Sequence, residues 1–176
     1  AAQKLINIDG VIGIVGPACS GETLGAAPIV ESAKIPLISP TATSPDITTA
    51  GDFIFRNIPD DGLAAGATAA YLKENGLLKV AMITENTDFC SAFGRSLVEA
   101  MGEENVVFEE LVEPNTKDYR TLITRLQDTD FDVFVANGQT VATAAAMITQ
   151  LREQGLNQPL IGNNAIVSPT LVEIAG

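Results

Sequence analysis

Histidine is absent from the 176-residue chain, and cysteine is nearly absent. Without an imidazole there is no histidine general base, no Ser-His-Asp triad and no histidine-ligated zinc. Two cysteines, Cys19 and Cys90, are too few for a four-thiolate metal site. No run of apolar residues approaches the roughly 18 that a membrane helix needs. We therefore expect no enzyme, no metal and no cofactor.

Positive charge is also scarce. Lysine and arginine number 10 against 22 acidic residues, which gives a formal net charge of −12, and the basic residues are scattered singly. Since nucleic acids and anionic membranes attract clustered positive charge, the composition argues against both partners. The hydrophobic fraction of 46% and the charged fraction of 18% indicate instead a folded chain with a substantial core.

Short β-branched runs alternate with longer helical patterns. The predicted strands are 11–16, 36–39, 53–58, 79–85, 105–113, 132–138 and 159–164, and the predicted helices lie near 20–33, 60–76, 88–103, 117–129 and 140–155. Several of these strands are nearly continuous apolar runs, as expected when both faces of a parallel sheet are buried. The alternation predicts an α/β fold with parallel sheets.

One polar stretch interrupts this pattern. Residues 39–52 are rich in Ser, Thr, Pro, Gly and Asp, and a run of regular strand–helix units begins after the turn at 59–62. We therefore predict a boundary between two lobes near Pro59. Residues 1–58 would be the C-terminal part of a first, incomplete lobe, and 59–176 would be most of a second. The opening AAQKLINIDG is typical of a helix end rather than of a signal peptide, so we expect a piece of a longer protein.

Two hydroxyl-rich loops follow the first two strands. In GPACSGET (16–23), small residues lead into a helix, whose free N–H groups and dipole favour an anion. Glu22 occupies the position where a phosphate-binding loop needs lysine, so a nucleoside triphosphate is not expected. Ser20 would either N-cap the helix or also contact a ligand carboxylate. Thr41 and Thr43 follow the next strand and would either bond their own turn or meet the same ligand, because ligands bind beyond the carboxyl ends of parallel strands.

A third candidate follows the strand at 79–85. Phe89 would form an aromatic wall for a ligand, or it would continue the helical stripe of Phe93, Leu97 and Met101 into the core. The thiol of Cys90 has no histidine to activate it, and the acidic pairs of the chain are adjacent in sequence, which is typical of solvated surface. These observations do not favour catalysis.

Taken together, these segments resemble the type I periplasmic substrate-binding proteins, in particular the branched-chain amino-acid (Leu/Ile/Val) binding group of ABC importers. The segments that carry the resemblance are VIGIVGPACSGETLGAAPIVESAKIPLISPTATSPDIT, FIFRNIPDDGLAAGATAAYL, KVAMITENTDFCSAFGRSL, KDYRTLITRL, DVFVANG and LREQGL. The resemblance covers essentially the whole chain, whereas family members are about twice as long.

The resemblance implies two Rossmann-like lobes that close on a ligand about a hinge. Ser20 and Thr43 would hold the ligand carboxylate, and the Thr41 carbonyl would face an ammonium group. The other implied ligand-binding residues are Cys19, Ala42, Phe89, Gln139, Thr140 and Asn164. Cys19 also matches a position that some relatives use in a disulfide.

Two departures from the family pattern affect the expected ligand. Asn163 and Asn164 align where amino-acid binders commonly carry an acid, and Phe89-Cys90 replaces the usual Tyr-Gly. A neutral amide pairs more weakly with a cation than a carboxylate does. Both departures leave room for an organic or aromatic carboxylate.

The sequence thus predicts a monomeric, non-enzymatic solute-binding protein that delivers a small carboxylate, such as a branched-chain or other apolar amino acid, to an ABC permease. The expected location is the periplasm, or the cell exterior with a lipid anchor. The alternatives are a regulatory or receptor domain on the same fold and a binder of aromatic or organic acids.

Overall fold

Strands and helices alternate along almost the whole chain. The computed structural model describes all residues, 1–176, and they divide into two compact units, Ala1–Leu63 and Ala64–Gly176. Every strand pair in both units is parallel, which confirms the predicted fold class. The boundary predicted near Pro59 lies a few residues before the division between the units.

The first unit contains a three-stranded sheet in the order β1-β2-β3. Its elements are helix α1 (Ala2–Asn7), strand β1 (Ile14–Val15), helix α2 (Ser20–Ala33), strand β2 (Leu37–Ser39), a 3-10 helix (Pro45–Thr49) and strand β3 (Ile54–Arg56). Leu37 pairs in register with Ile14 and Ile54. Leu37 and Ile54 form one buried cluster with Ala27 and Val30 of α2. The core of this unit therefore lies between the sheet and α2.

The opposite face of this sheet is bare. Val15, Ile38 and Phe55 lie side by side in register, and they are 86%, 43% and 49% exposed. Parallel sheets are normally covered on both faces, so a bare apolar row is expected when part of a lobe is absent. That the first lobe is incomplete here stays a prediction.

The second unit contains a four-stranded sheet in the order β5-β4-β6-β7. Its elements, beginning with a helix that starts just before the division, are α3 (Asp61–Glu74), β4 (Val80–Glu85), α4 (Asp88–Met101), β5 (Val106–Val112), α5 (Arg120–Leu126), β6 (Val133–Asn137), α6 (Val141–Glu153), β7 (Leu160–Gly162) and α7 (Pro169–Ala175). All residues of the two central strands, β4 and β6, are buried, as their continuous apolar runs predict.

Helices cover both faces of this second sheet. Val80 and Met82 of β4 belong to a buried cluster with residues of α3 and α4, whereas Ala81 and Ile83 belong to another with residues of α5 and α6. Because successive side chains of a strand point to opposite faces of the sheet, β4 contributes residues to both cores. Phe93, Leu97 and Met101 of the predicted helical stripe line the first of these cores. The second is lined by residues of α5 and α6 and the residue before α5: Tyr119, Ile123, Leu126, Ala144, Ile148 and Leu151.

Several element bounds differ from the prediction. The strand expected at 11–16 is limited to two residues of β1, and the helix expected at 117–129 is limited to α5. The polar stretch 39–52 contains a 3-10 helix of five residues, which is too short to show a hydrophobic period. Helix α7 lies outside the predicted helices, although Pro169 begins it and its N-cap, Ser168, accepts a hydrogen bond from Thr170 N at 3.2 Å.

The ionisation of Tyr119 makes the free energy of unfolding depend on pH. The side chain is fully buried and its hydroxyl donates to Thr116 O at 2.7 Å. Burial, with a smaller contribution from the Glu85 carboxylate, raises the pKa of Tyr119 from 10.0 to about 12. In the unfolded chain the phenol ionises near its ordinary value, so between pH 10.0 and about 12 the unfolded state binds fewer protons than the folded state. Folding stability contributed by this group is full below pH 10.0 and is lost as pH rises through that window.

We therefore expect Tyr119→Phe to flatten the alkaline part of the stability profile measured by urea unfolding. At neutral pH the same change should lower the free energy of unfolding by about 1 kcal/mol, because it removes the bond to Thr116. Tyr71→Phe is the matched control, since Tyr71 is exposed, and it should retain the wild-type pH dependence. An unchanged alkaline slope in Tyr119→Phe would contradict this account.

Candidate functional site

Ser20 lies at the start of α2, in the first unit. The N-cap of this helix is Cys19, with Ser20 as the first helical residue, so the prediction that Ser20 is the N-cap is wrong. The Ser20 side chain is buried, and its Oγ accepts a hydrogen bond from Ser44 N at 3.2 Å. Because a hydroxyl both donates and accepts, Ser20 keeps its own hydrogen for a further acceptor beside the helix N-terminus.

Side chains also bind the loop after β2 to the loop before α2. Ser39 Oγ donates to Pro17 O at 2.6 Å and accepts from Ala42 N at 3.1 Å. Thr41 Oγ1 donates to Ala18 O at 2.8 Å. The structure thus brings together the two strand-end loops that the sequence singled out. Their role in ligand binding remains a prediction.

The Thr43 hydroxyl uses its hydrogen within the chain, so it can only accept a hydrogen bond from a ligand. Thr43 Oγ1 donates to Asp61 Oδ2 at 2.7 Å, and Asp61 N donates to Thr43 O at 2.8 Å. Both residues are buried. Since the only hydroxyl hydrogen is used, Thr43 can offer a ligand an acceptor at Oγ1 and a donor at its backbone N–H, which bonds nothing within the chain. A ligand carboxylate at this residue is therefore expected to meet the N–H rather than the hydroxyl.

The remaining first-unit candidates differ in exposure. Cys19 and Thr41 are exposed, while Ala42 is buried. The Cys19 carbonyl accepts from both the N–H and the hydroxyl of Thr23, whereas the Thr41 carbonyl accepts nothing within the chain. Thr41 therefore offers an acceptor, and its predicted contact with a ligand ammonium group stays a prediction. Neither Cys19 nor Cys90 forms a disulfide.

In the second unit, Gln139 is bound to the loop that follows β4. Its N–H donates to Glu85 Oε2 at 2.8 Å, and its Oε1 accepts from the Thr87 hydroxyl at 2.8 Å. Thr87 is also the N-cap of α4, because it accepts from Cys90 N. With its amide oxygen occupied, Gln139 presents its NH₂ group as the donor for a further partner. Thr140 is exposed, and it is the N-cap of α6 through a bond from Thr143 N.

Phe89 does not share the surroundings of the rest of its stripe. It is buried in the first turn of α4. The core cluster that contains Phe93, Leu97 and Met101 does not include Phe89. The core interpretation is therefore confirmed for those three residues, and the prediction that Phe89 lines a ligand site remains open to experiment.

The paired asparagines after β7 have different roles. Asn164 is exposed, whereas Asn163 is 1% exposed. Asn163 Nδ2 donates to Asn137 Oδ1 at 2.8 Å and to Gly138 O at 2.9 Å. Sequence reasoning missed Asn137 and Glu85, and it considered Asn163 only as a neutral residue where relatives carry an acid. The available signal was position, because Glu85 and Asn137 are polar residues that end apolar strands.

Two further classes of site find no support. No group of three His, Cys, Asp or Glu side chains in the chain could hold a metal ion. No helix is both long enough and apolar enough to cross a membrane.

Comparisons with known proteins agree with this arrangement. The whole chain, residues 1–176, matches the family described as periplasmic binding protein. The leucine-specific-binding protein of Salmonella typhimurium is 31% identical over 179 residues, which cover 99% of this chain and 48% of that protein. The crystal structure of a leucine binding protein from Thermotoga maritima has a TM-score of 0.87 at 22% identity, covering 99% of this chain and 51% of that one. A solute binding protein of R. palustris in complex with 4-hydroxybenzoate has a TM-score of 0.83 at 21% identity, covering 99% and 49%.

The chain spans about half the length of these relatives. The likeness to the two crystal structures confirms the predicted fold class. The relatives are binding proteins by name, which agrees with the expectation that the chain is not an enzyme.

The Thr43–Asp61 bond generates a prediction about stability. Thr43→Val should remove a donor from the buried Asp61 carboxylate and lower the free energy of unfolding by about 1–3 kcal/mol, measured by urea denaturation of the full-length protein. Thr43→Ser keeps a hydroxyl at the same place and is the matched control, with a clearly smaller loss expected. A loss in Thr43→Ser as large as that in Thr43→Val would contradict this account, because only Thr43→Val removes the hydroxyl.

Proposed function

Because this chain belongs to the periplasmic binding protein family, which it matches over residues 1–176, we propose that it is part of the solute-binding component of an ABC importer. It binds a small carboxylate in the periplasm and presents it to a membrane permease. The observation that carries this proposal is the pair of joined loops in the first unit, where Ser20 and Thr43 keep donors that nothing in the chain uses.

A carboxylate suits these donors. The first N–H groups of α2 have no partner within the helix, and the positive end of a 14-residue helix dipole lies beside them. The Ser20 hydroxyl and the Thr43 N–H add two neutral donors. A singly charged carboxylate can be held by such a set without a cationic side chain. Glu22 in the first turn of α2 disfavours a multiply charged anion such as a phosphate.

An amino acid suits the acceptors in the same loops. The Thr41 carbonyl is unused within the chain, and the Thr43 hydroxyl can only accept. An ammonium group next to the bound carboxylate would donate to both. The name of the leucine-specific-binding protein of Salmonella typhimurium, at 31% identity, supports a branched-chain or other apolar amino acid as the ligand.

An aromatic carboxylate is the second candidate. Asn163 and Asn164 are neutral, so they supply no carboxylate to an ammonium group. The R. palustris protein that shares this fold carries 4-hydroxybenzoate. Such a ligand would use the carboxylate donors of the first unit, and its ring would pack against an apolar wall such as Phe89.

The mechanism we infer is closure of two lobes about a hinge. The first lobe supplies the carboxylate donors, and Phe89, Gln139, Thr140 and Asn164 of the second lobe complete the contacts. A ligand that contacts both lobes stabilises the closed state over the open one, and the permease recognises the closed form. Closure is driven by the higher affinity of the ligand for the closed state than for the open one, and no bond in the ligand is broken.

A ligand panel tested on the full-length protein checks this proposal. The panel contains leucine, isoleucine, valine, phenylalanine, benzoate and 4-hydroxybenzoate, and the measurement is the thermal shift followed by calorimetry. A ligand at 100 times its Kd should add about 2.7 kcal/mol of stability. Stabilisation by amino acids or by aromatic acids would select between the two candidates, whereas no response to any compound would contradict both and favour a regulatory domain.

The variant Ser20→Ala tests the carboxylate contact directly. It should weaken binding of the identified ligand about 10-fold or more, since a hydrogen bond to a charged group contributes about 1.5–3 kcal/mol. Ser32→Ala, an exposed serine near the other end of α2, is the matched control and should leave the Kd unchanged. Unchanged affinity in Ser20→Ala would place the carboxylate elsewhere.

A further inference from the structure

Hydrogen bonds between buried side-chain amides connect the segments that carry the candidate ligand-binding residues of the second unit. Asn137 ends β6 and Asn163 follows β7, and both are almost fully buried. Asn163 Nδ2 donates to Asn137 Oδ1 at 2.8 Å. Asn137 Nδ2 donates in turn to Thr84 Oγ1 at 3.1 Å and to Cys90 O at 2.8 Å. We call this set (Thr84, Asn137 and Asn163 with their backbone partners) the amide ladder.

Backbone groups fix the direction of every bond in the amide ladder. The carbonyl of Cys90 can only accept, so Asn137 must turn its NH₂ group toward it. The carbonyl of Gly138, which accepts from Asn163 Nδ2 at 2.9 Å, sets the orientation of Asn163 in the same way. Ala165 N then donates to Asn163 Oδ1 at 2.9 Å. Both amide groups therefore use both hydrogens and their oxygen, as buried polar groups require.

The amide ladder connects three segments that carry the second-unit candidates. Its bond to Cys90 O reaches the first turn of α4, which holds Phe89. Its bond to Gly138 O reaches the loop that holds Gln139 and Thr140. Asn163 itself begins the turn that holds Asn164. None of these three segments takes part in the strand pairing of the sheet. The side-chain bonds described above are direct links between them.

We propose that Asn137 and Asn163 are positioning residues, which hold the loops after β4, β6 and β7 in their binding arrangement before a ligand arrives. This inference rests on the proposed function for the identity of the ligand-binding loops. It assigns the two adjacent asparagines to separate roles. Asn163, which is buried, fixes the loops, and Asn164, which is exposed, contacts the ligand. Preorganisation of this kind increases affinity because binding no longer has to order the loops.

The variant N163D tests the proposal by replacing one hydrogen-bond donor, Nδ2, with an acceptor oxygen. Its carboxylate would face two acceptors, Asn137 Oδ1 and Gly138 O, where the wild type has an NH₂ group. If only a tenth of the molecules keep the loops in place, the Kd for leucine or 4-hydroxybenzoate should rise about 10-fold. N157D makes the same chemical change at an exposed asparagine of the same unit and should leave the Kd unchanged.

The pH profile separates polarity from simple loss of packing. Burial against two acceptors raises the pKa of the new carboxyl in N163D above the ordinary value of about 3.9. The destabilisation is therefore full above the raised pKa and is lost as pH falls through it. The difference in stability and affinity between N163D and wild type should shrink from about pH 7 to about pH 5. The control N157D should show no such trend.

Amide hydrogen exchange on the ligand-free protein decides the question independently of any ligand. In N163D the amides of 88–90, 138–140 and 163–165 should exchange at least about 10-fold faster, with those of central β4 unchanged. If N163D fails to fold, T84V removes one acceptor at nearly constant shape and should give the same pattern at smaller amplitude. Unchanged loop exchange, or uniformly faster exchange throughout the unit, would overturn the proposal.

The two proposals fail in different ways. If the wild type binds no compound of the panel but the loops exchange faster in N163D, the proposed function fails and the positioning role stands. If the wild type binds a ligand and N163D alters neither its Kd nor loop exchange, the positioning role fails and the function stands.

Discussion

Backbone N–H and C=O groups lose their ladder partners where a parallel strand ends, and in this chain buried polar side chains replace those partners. Ser39 does so at the end of β2, where its hydroxyl bonds both Pro17 O and Ala42 N. Glu85 does so at the end of β4, and Asn137 at the end of β6. Each of these residues links a loop to its surroundings through side-chain hydrogen bonds. The candidate ligand-binding residues stand on the loops that are fixed in this way.

Under the proposed function, the same constraint would account for how an acidic chain binds a carboxylate. With a net charge of −12 and scattered basic residues, the chain has no cationic patch to attract an anion. Local donors replace it: the N-terminal end of α2, the Ser20 hydroxyl and the Thr43 N–H are all neutral. Because Asp61 takes the Thr43 hydroxyl hydrogen, the loop offers donors and acceptors at separate atoms. Under the proposed function, that separation would let the loop distinguish a carboxylate from an ammonium group.

Much of the fold can be predicted from the sequence because the central strands are runs of mostly apolar residues. The runs VAMITE and VFVAN are buried at every position of β4 and β6, so period and length suffice to identify them. Helix α7 is only seven residues long and has no buried residue, so it leaves no comparable pattern. The site is predicted less well because its bonds are long-range. The chain does not reveal that Thr43 meets Asp61, or which of two adjacent asparagines is buried.

The most direct test of the central claim is a crystal structure of the full-length protein with the ligand that the panel identifies. The account predicts that one carboxylate oxygen lies within hydrogen-bond distance of Ser20 Oγ and that the Thr43 N–H donates to the carboxylate. It also predicts that Thr43 Oγ1 stays bonded to Asp61. A ligand carboxylate bound away from the first turn of α2, with the loops after β1 and β2 making no contact, would contradict it.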